Sequence, residues 1–558
     1  MKRTKVFFSL LFLLLWASAV QAQDKIEILP GASSLERGEK NGVEYLRLLQ
    51  NVQMKQKDTF LYCDSAHFYR EQNYVDVFGN VRVVQNTLTI TSNTATYNGN
   101  QRIATFKGGV KLVDENLNLT TPSLTYNMAT RVGRYTEGGT IVETENTLTS
   151  RSGNYNLDTK LLSFKGNVHV VGKDADIKSD SLQYNTTNKT AYFVTLTRIK
   201  NEQGNLTARG GYYNTVTKES QFLNSQVETT DYTISGQKLF YDRARQYLHA
   251  TGNVRMVSKD QKNKTVITGQ EAKHWEGLGR SKITGSPVMR SLVSNDTLYI
   301  SADTLVAVDQ KDPKKKDFLY AYYGVRIFKS DLQGKCDSLS YNLTDSLMMM
   351  NGDPILWSNN SQLVSNRMHM QMKNRTIDRM YMYADAFIVS EDSLKNLNQI
   401  KGRDMTAFFQ EGDIRRVDVN GNGESIYFAL EGDSVLTGMN KTVCSDMVLK
   451  FKDKKLQTIS FLTNPDASFI PPHELEEPDK RLKGFKWRID EKPTKAQVLA
   501  KRTKKSARPP KPAVLAQETA NPAPTKGAQK AEPPRRRDKT KEKPAATKPN
   551  ARLQRNIN

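Results

Sequence analysis

Histidines, cysteines, carboxylates and glycine loops are where a chain does covalent or metal chemistry, and in this sequence they do not gather. His67, His169, His249, His274, His369 and His473 are spread along the chain. None stands at the HExxH spacing that lets two imidazoles on one helix face share a zinc ion. Cys63, Cys336 and Cys444 are odd in number and distant from one another, which does not outline a disulfide framework. "CDSAHFY" and "CDSLSY" instead put Cys63 and Cys336 near one small-residue corner of a recurring pattern. "GLGRSKITG" (277–285) has the glycines of a phosphate loop but neither its Gly-Lys-Ser/Thr ending nor a following helical pattern. There is no GxSxG elbow and no repeated carboxylate pair placed for acid–base work. The expectation is a protein that is not an enzyme and that needs no metal or cofactor.

What recurs is a frame rather than a reactive group. Tyrosines stand at 69, 97, 126, 155, 184, 213 and 241, separated by 28 or 29 residues, and a fixed period of this size marks a repeat architecture. Glycine corners keep the same beat: Gly79-Asn80, Gly108-Gly109, Gly138-Gly139, Gly166-Asn167 and Gly252-Asn253. Ile90, Leu119, Leu148, Ile177, Leu206 and Ile234 each lie seven residues before a tyrosine, and Ala95, Leu124, Gly153, Leu182, Gly211 and Leu239 lie two before. The odd step of five between these sets breaks the alternation of a flat strand. Each repeat therefore predicts two strands of about a dozen residues, each creased in its middle by a bulge or a glycine. Stacked at about 4.8 Å per strand, they advance about 10 Å per repeat and make two facing walls, aliphatic inside and polar outside. One solvated face favours antiparallel pairing. The pattern is regular over 23–300 and continues in degenerate form over 301–465, with its register lost near 396–404.

The ends read differently. Lys2, Arg3 and Lys5, the apolar run 6–16 and "ASAVQA" form a cleavable signal peptide over 1–22. No later run approaches the roughly 18 apolar residues of a membrane helix, so the expectation is a soluble exported protein. The formal charge of +23 is not a nucleic-acid footprint, because residues 480–558 hold 24 Lys/Arg against 6 Asp/Glu, a balance of +18. With few apolar residues and many prolines, the segment 475–558 is expected to be disordered, with anionic membrane contact as its candidate role.

The corners "FGNVRVV", "FKGNVHVV" and "ATGNVRMV", with the strands "SNTATYN" and "KSDSLQYN" behind an export signal, resemble the organic-solvent-tolerance (OstA-like, LptA-like) family of periplasmic lipopolysaccharide-transport proteins. The resemblance implies an all-β, elongated, antiparallel V-shaped β-jellyroll. Its apolar groove would shield the acyl chains of lipopolysaccharide, or a similar amphiphile, between inner and outer membrane. It also implies edge-to-edge β pairing with other envelope components and a periplasmic location, possible outer-membrane association included. Groove candidates, matched by phase, are Val81, Val83, Ile90, Phe106, Val110, Leu112, Leu119, Val168, Val170, Ile177, Leu206, Ile234, Val254 and Met256. The alternatives are a structural or adhesive β-solenoid with a closed core and, in architecture, a parallel β-helix.

Overall fold

The computed structural model describes residues 25–502 apart from 116, 144–145, 174, 202–203, 229–231, 260–264, 294–295, 310–316, 374–375, 411–412, 433 and 453–454. The expected signal peptide, and the tail beyond 502, lie outside the described residues.

The described strands join into one sheet. In the regular section Thr59–Tyr69, Tyr74–Gln85, Leu88–Asn98, Ile103–Asp114 and Leu117–Asn127 are 11 or 12 residues long, two to a repeat. Each runs antiparallel to the next, which excludes the parallel β-helix. The Asn after each tyrosine closes the turn: Asn127 Oδ1 accepts from the Ala129 and Thr130 amides, and Asn156, Asn185 and Asn214 repeat the arrangement. An Asx turn of this kind is why "YN" ends each repeat.

The creases are backbone events. Pairing of Ile103–Asp114 with Leu117–Asn127 breaks between Lys107 and Val110, where Gly108 and Gly109 have φ of 79° and 60°. A Cβ on Gly108 would stand 2.9 Å from the Asn93 side chain, so this corner requires glycine on two counts. On one side of the crease Ala104, Phe106, Leu124 and Tyr126 point inward; on the other, Val110, Leu112 and Leu119 do. Both sets belong to one continuous core, so the two arms of each strand face each other across an apolar interior. Burying a side chain such as Phe106 there contributes roughly 1.5–3 kcal/mol.

Beyond residue 300 the same device continues. The stretch where the sequence pattern fades lies in the strand Leu397–Gln410, which is creased between Lys401 and Asp404 like its predecessors. The stack ends on Val435–Lys452, whose two arms carry Lys455–Leu462 and Asp466–Ile470.

The segment expected to be disordered from residue 475 is folded as far as it is described, over 471–502. It holds 3-10 turns at Pro472–Glu474 and Ile489–Glu491 and a short helix, Lys495–Leu499, capped by Thr494. This strap turns back over the sheet. Leu482 packs with Phe387, Val389, Phe428 and Met439, and two buried glutamines stand in for strand partners. Gln399 accepts from the Leu482 amide (2.9 Å) and donates to the Lys480 carbonyl (2.7 Å). Gln362 does the same with the Arg488 amide and the Lys486 carbonyl, both at 2.7 Å. Composition misreads this segment because a chain docking on an existing sheet needs few apolar residues of its own.

Candidate functional site

The turn ends of the two arms meet across the mouth of the trough, and there the repeat places a ladder of polar contacts. Gln56, Gln85, Asp114 and Glu143, 29 residues apart, end strands on one arm. Each takes the hydroxyl of a tyrosine 41 residues later on the other arm. Tyr97 donates to Gln56, Tyr126 to Gln85 (2.8 Å), Tyr155 to Asp114 (2.8 Å), and Tyr184 bonds to Glu143. Burial pushes the Tyr97 and Tyr126 hydroxyls up to about 12. For Tyr155 and Tyr184, burial and the facing carboxylate both raise the hydroxyl further.

A second ladder lies beside the first. Arg102, Arg131, Lys160, Lys189 and Lys218, again 29 apart, occupy the left-handed position of each turn. Arg102 pairs with Asp58 at 3.1 Å, Arg131 with Asp158 at 3.0 Å, Lys160 with Asp114 at 2.8 Å, and Lys189 with Glu143. Burial alone would raise the Asp114 carboxyl. Hydrogen bonds from Lys160, Thr87 and Tyr155 outweigh it and hold the group below the ordinary carboxylate range. Neither ladder was read from the sequence, although the period of 29 in Arg/Lys at 102, 131, 160, 189 and 218 is a visible signal.

Through these rungs the interior is shut. Val81, Val83, Ile90, Phe106, Val110, Leu112 and Leu119 are at most 2% exposed. A void near Gln56 and Tyr97 is about 10 Å³, no larger than one water needs.

The rung after Glu143 is different. Position 172 is glycine, so Tyr213 has no side chain in register to meet. Two apolar cavities of about 270 and 80 Å³ open there and share Ala175, Ile177, Tyr213 and Lys218 in their walls. The chamber runs from Ile141 to Glu276, with Leu206, Phe222 and Leu248 among its lining. At its far end Tyr241 donates to Glu276 at 3.3 Å. Of the candidate residues, Val170, Ile177 and Leu206 line the chamber. Val168, Ile234, Val254 and Met256 face inward but lie in the packed core around it.

Residues 23–180 and 178–236 match the family of OstA-like proteins. Over these residues the chain is similar to OstA-like proteins. The matched segment contains the closed rungs from Gln56–Tyr97 to Glu143–Tyr184 and most of the chamber wall, up to Glu228. No curated protein matches the chain.

The groups with chemical reach in this chain stand apart from the chamber or serve structure. The three cysteines are buried free thiols at creases, opposite Val52, Val325 and Gly423. Burial raises all three, Cys63 to about 12. His169 and His249 pair with Asp176 and Glu271. Among the described residues no cluster of His, Cys, Asp and Glu could hold a metal ion, and no helix is long and apolar enough to cross a membrane.

Proposed function

We propose that this protein carries the acyl portion of lipopolysaccharide, or of a similar amphiphile, between its two arms in the periplasm, without chemical conversion, as part of outer-membrane assembly. One observation carries the reading: a sheet whose arms are bonded shut rung after rung leaves an apolar chamber open between Ile141 and Glu276. Cavities of about 270 and 80 Å³ together reach the size of the smaller ligand pockets, roughly 300 Å³. Each buried CH2 contributes about 0.8 kcal/mol. The similarity to OstA-like proteins over residues 23–236 supports the same reading.

Partners would be other envelope components that add a strand to the terminal edges Ser34–Lys40 or Asp466–Ile470, where Leu35 and Phe469 are exposed. The basic tail beyond 502 supplies positive charge suited to anionic headgroups. The structural-solenoid alternative has its support in the closed section before Tyr155, where the interior is core. Photocrosslinking side chains at Val170 and Leu206, read by mass spectrometry of cells, test the proposal. Lipid adducts there and none at exposed Lys111 support it, and their absence at both chamber positions overturns it.

A further inference from the structure

Near residue 300 the strap lies over one arm of the strands, where Arg326 donates to the Gln497 carbonyl and Lys335 pairs with Glu491. The outer face of the other arm is made differently. Five neighbouring strands build it: Tyr247–Ser258, Thr265–Trp275, Arg280–Thr284, Thr304–Val308 and Phe318–Lys329, each antiparallel to the next. Across them Tyr247 stands opposite Trp275, Trp275 opposite Arg280 and Lys273 opposite Lys282, while Lys282 faces Val306 and Val306 faces Tyr320. Their chain neighbours Ala272, Ile283, Leu305 and Ala321 belong to the core, so alternation puts this set on the outside. The rings of Tyr247 and Trp275 are 5.6 Å apart, and Phe318, Tyr320 and Tyr322 stack along one strand at 5.4 and 6.1 Å.

The charges on this face are unbalanced. Lys273 has Glu271 at 3.3 Å, but Arg280 and Lys282 are exposed and have no carboxylate partner among the described residues. Like charges directly opposite, as at Lys273 and Lys282, destabilise a sheet, so an anion supplied from outside is stabilising there. From Tyr247 to Tyr320 the set covers four strand spacings, about 19 Å, which suits an extended anionic surface better than a single bound ion. Tryptophan and tyrosine beside lysine and arginine are the side chains that settle at a membrane–water interface, the rings at headgroup level and the cations on anionic lipid.

We propose that this outer face seats the protein on an anionic lipid bilayer, with Tyr247, Trp275 and Tyr320 at headgroup depth and Arg280 and Lys282 on the lipid phosphates. The contact is separate from the chamber and does not depend on lipid carriage.

The test uses the full chain and vesicles of phosphatidylglycerol and phosphatidylcholine with brominated acyl chains, which quench a tryptophan only where it reaches the bilayer. After the expected signal peptide the tryptophans are Trp275, Trp357 and Trp487; Trp357 is buried and Trp487 packs in the strap. Quenching should appear with these vesicles, be absent with brominated phosphatidylcholine alone, and be lost in Trp275→Phe. In Arg280→Gln/Lys282→Gln the lipid concentration for half-maximal quenching should rise about fivefold for each charge removed. Lys111→Gln should leave it unchanged, with unfolding curves confirming that each variant is folded. The chain beyond 502 holds no tryptophan, so vesicle binding without quenching is tethering by the tail alone and overturns the proposal. Quenching that survives in Trp275→Phe, or a half-maximal concentration unmoved in the double variant, also overturns it. Binding of poly-glutamate that is lost in the double variant, with no quenching by vesicles, overturns it in favour of an acidic protein partner.

Discussion

Tyr155 and Asp114, on opposite arms, are joined across the mouth by a 2.8 Å hydrogen bond, and Lys160 approaches the same carboxylate oxygen at 2.8 Å. The Asp114 side chain is 1% exposed and Lys160 about a quarter exposed, so the two partners are not equally dependent on the contact. Removing the acid leaves a buried hydroxyl without its acceptor and a lysine that can still reach Glu115.

Asp114→Ala should destabilise the protein by about 2–4 kcal/mol, and Tyr155→Phe by about 1 kcal/mol, measured by urea unfolding. Because the folded Asp114 carboxyl lies below its unfolded value, its contribution is complete at neutral pH. It disappears as pH falls through the folded value, below about 4. The difference between native and Asp114→Asn unfolding midpoints should therefore shrink in acid and stay constant from pH 5 to 8; a difference that grows in acid contradicts the assignment.

At the crease, Gly108 and Gly109 differ in surroundings though not in conformation. A Cβ on Gly108 meets Asn93, while one on Gly109 meets nothing within 4 Å. Gly109→Ala should cost about 1 kcal/mol for its positive φ alone, and Gly108→Ala about 1–2 kcal/mol more. Equal thermal shifts for the two would show that the contact with Asn93 does not matter.

Gly172→Glu rebuilds the missing rung beneath Tyr213. The residue does not have a positive φ, and the nearest obstacle to its Cβ is the end of the Asn146 side chain. The variant should raise the melting temperature and reduce the lipid that copurifies with the protein several-fold. Unchanged lipid content with a raised melting temperature would separate the rung from cargo access.

The strap depends on its buried glutamines. Gln362→Ala leaves the Arg488 amide and the Lys486 carbonyl without their partner and should loosen the strap by about 2–3 kcal/mol. Hydrogen exchange at residues 480–491 should quicken while the Tyr74–Gln85 strand is unaffected. Glu491, held at about 2 by Arg488 and Lys335, keeps its charge into acid. Strap exchange should therefore accelerate only as pH drops below about 4.

Alkylation of Cys63, Cys336 and Cys444 in the native protein should be negligible at pH 8 and complete in denaturant. The thiolate is the reactive form, and burial raises all three thiols. Rapid native labelling of any one would reveal local opening at its crease.

The sequence by itself determined the local conformation of each rung. The spacing of Tyr126 and Tyr155 gave the repeat, Gly108-Gly109 gave the crease, and the odd step from Leu119 to Leu124 divided one strand into two arms, because each of these is a property of a few successive backbone dihedrals and of period-two alternation. The register at 396–404 was hidden because Gly402 stands there without a neighbouring glycine or asparagine, and it is pairing with the strands on either side, Thr376–Glu391 and Asp413–Glu431, that displays the crease. The strap was hidden for a related reason: its stability resides in Gln362, Gln399 and Phe387, far from it in the chain.

Which interior positions are sealed and which are open was likewise a tertiary matter. Ile90 and Leu206 occupy the same phase of the repeat, yet one is fully packed and the other lines the chamber. The difference arises across the mouth, where a tyrosine meets an acid from 41 residues earlier at Asp114 and Glu143 and meets glycine at 172. An interaction between arms is decided by two residues that the fold alone brings together, so the phase of either one does not reveal whether the rung will close.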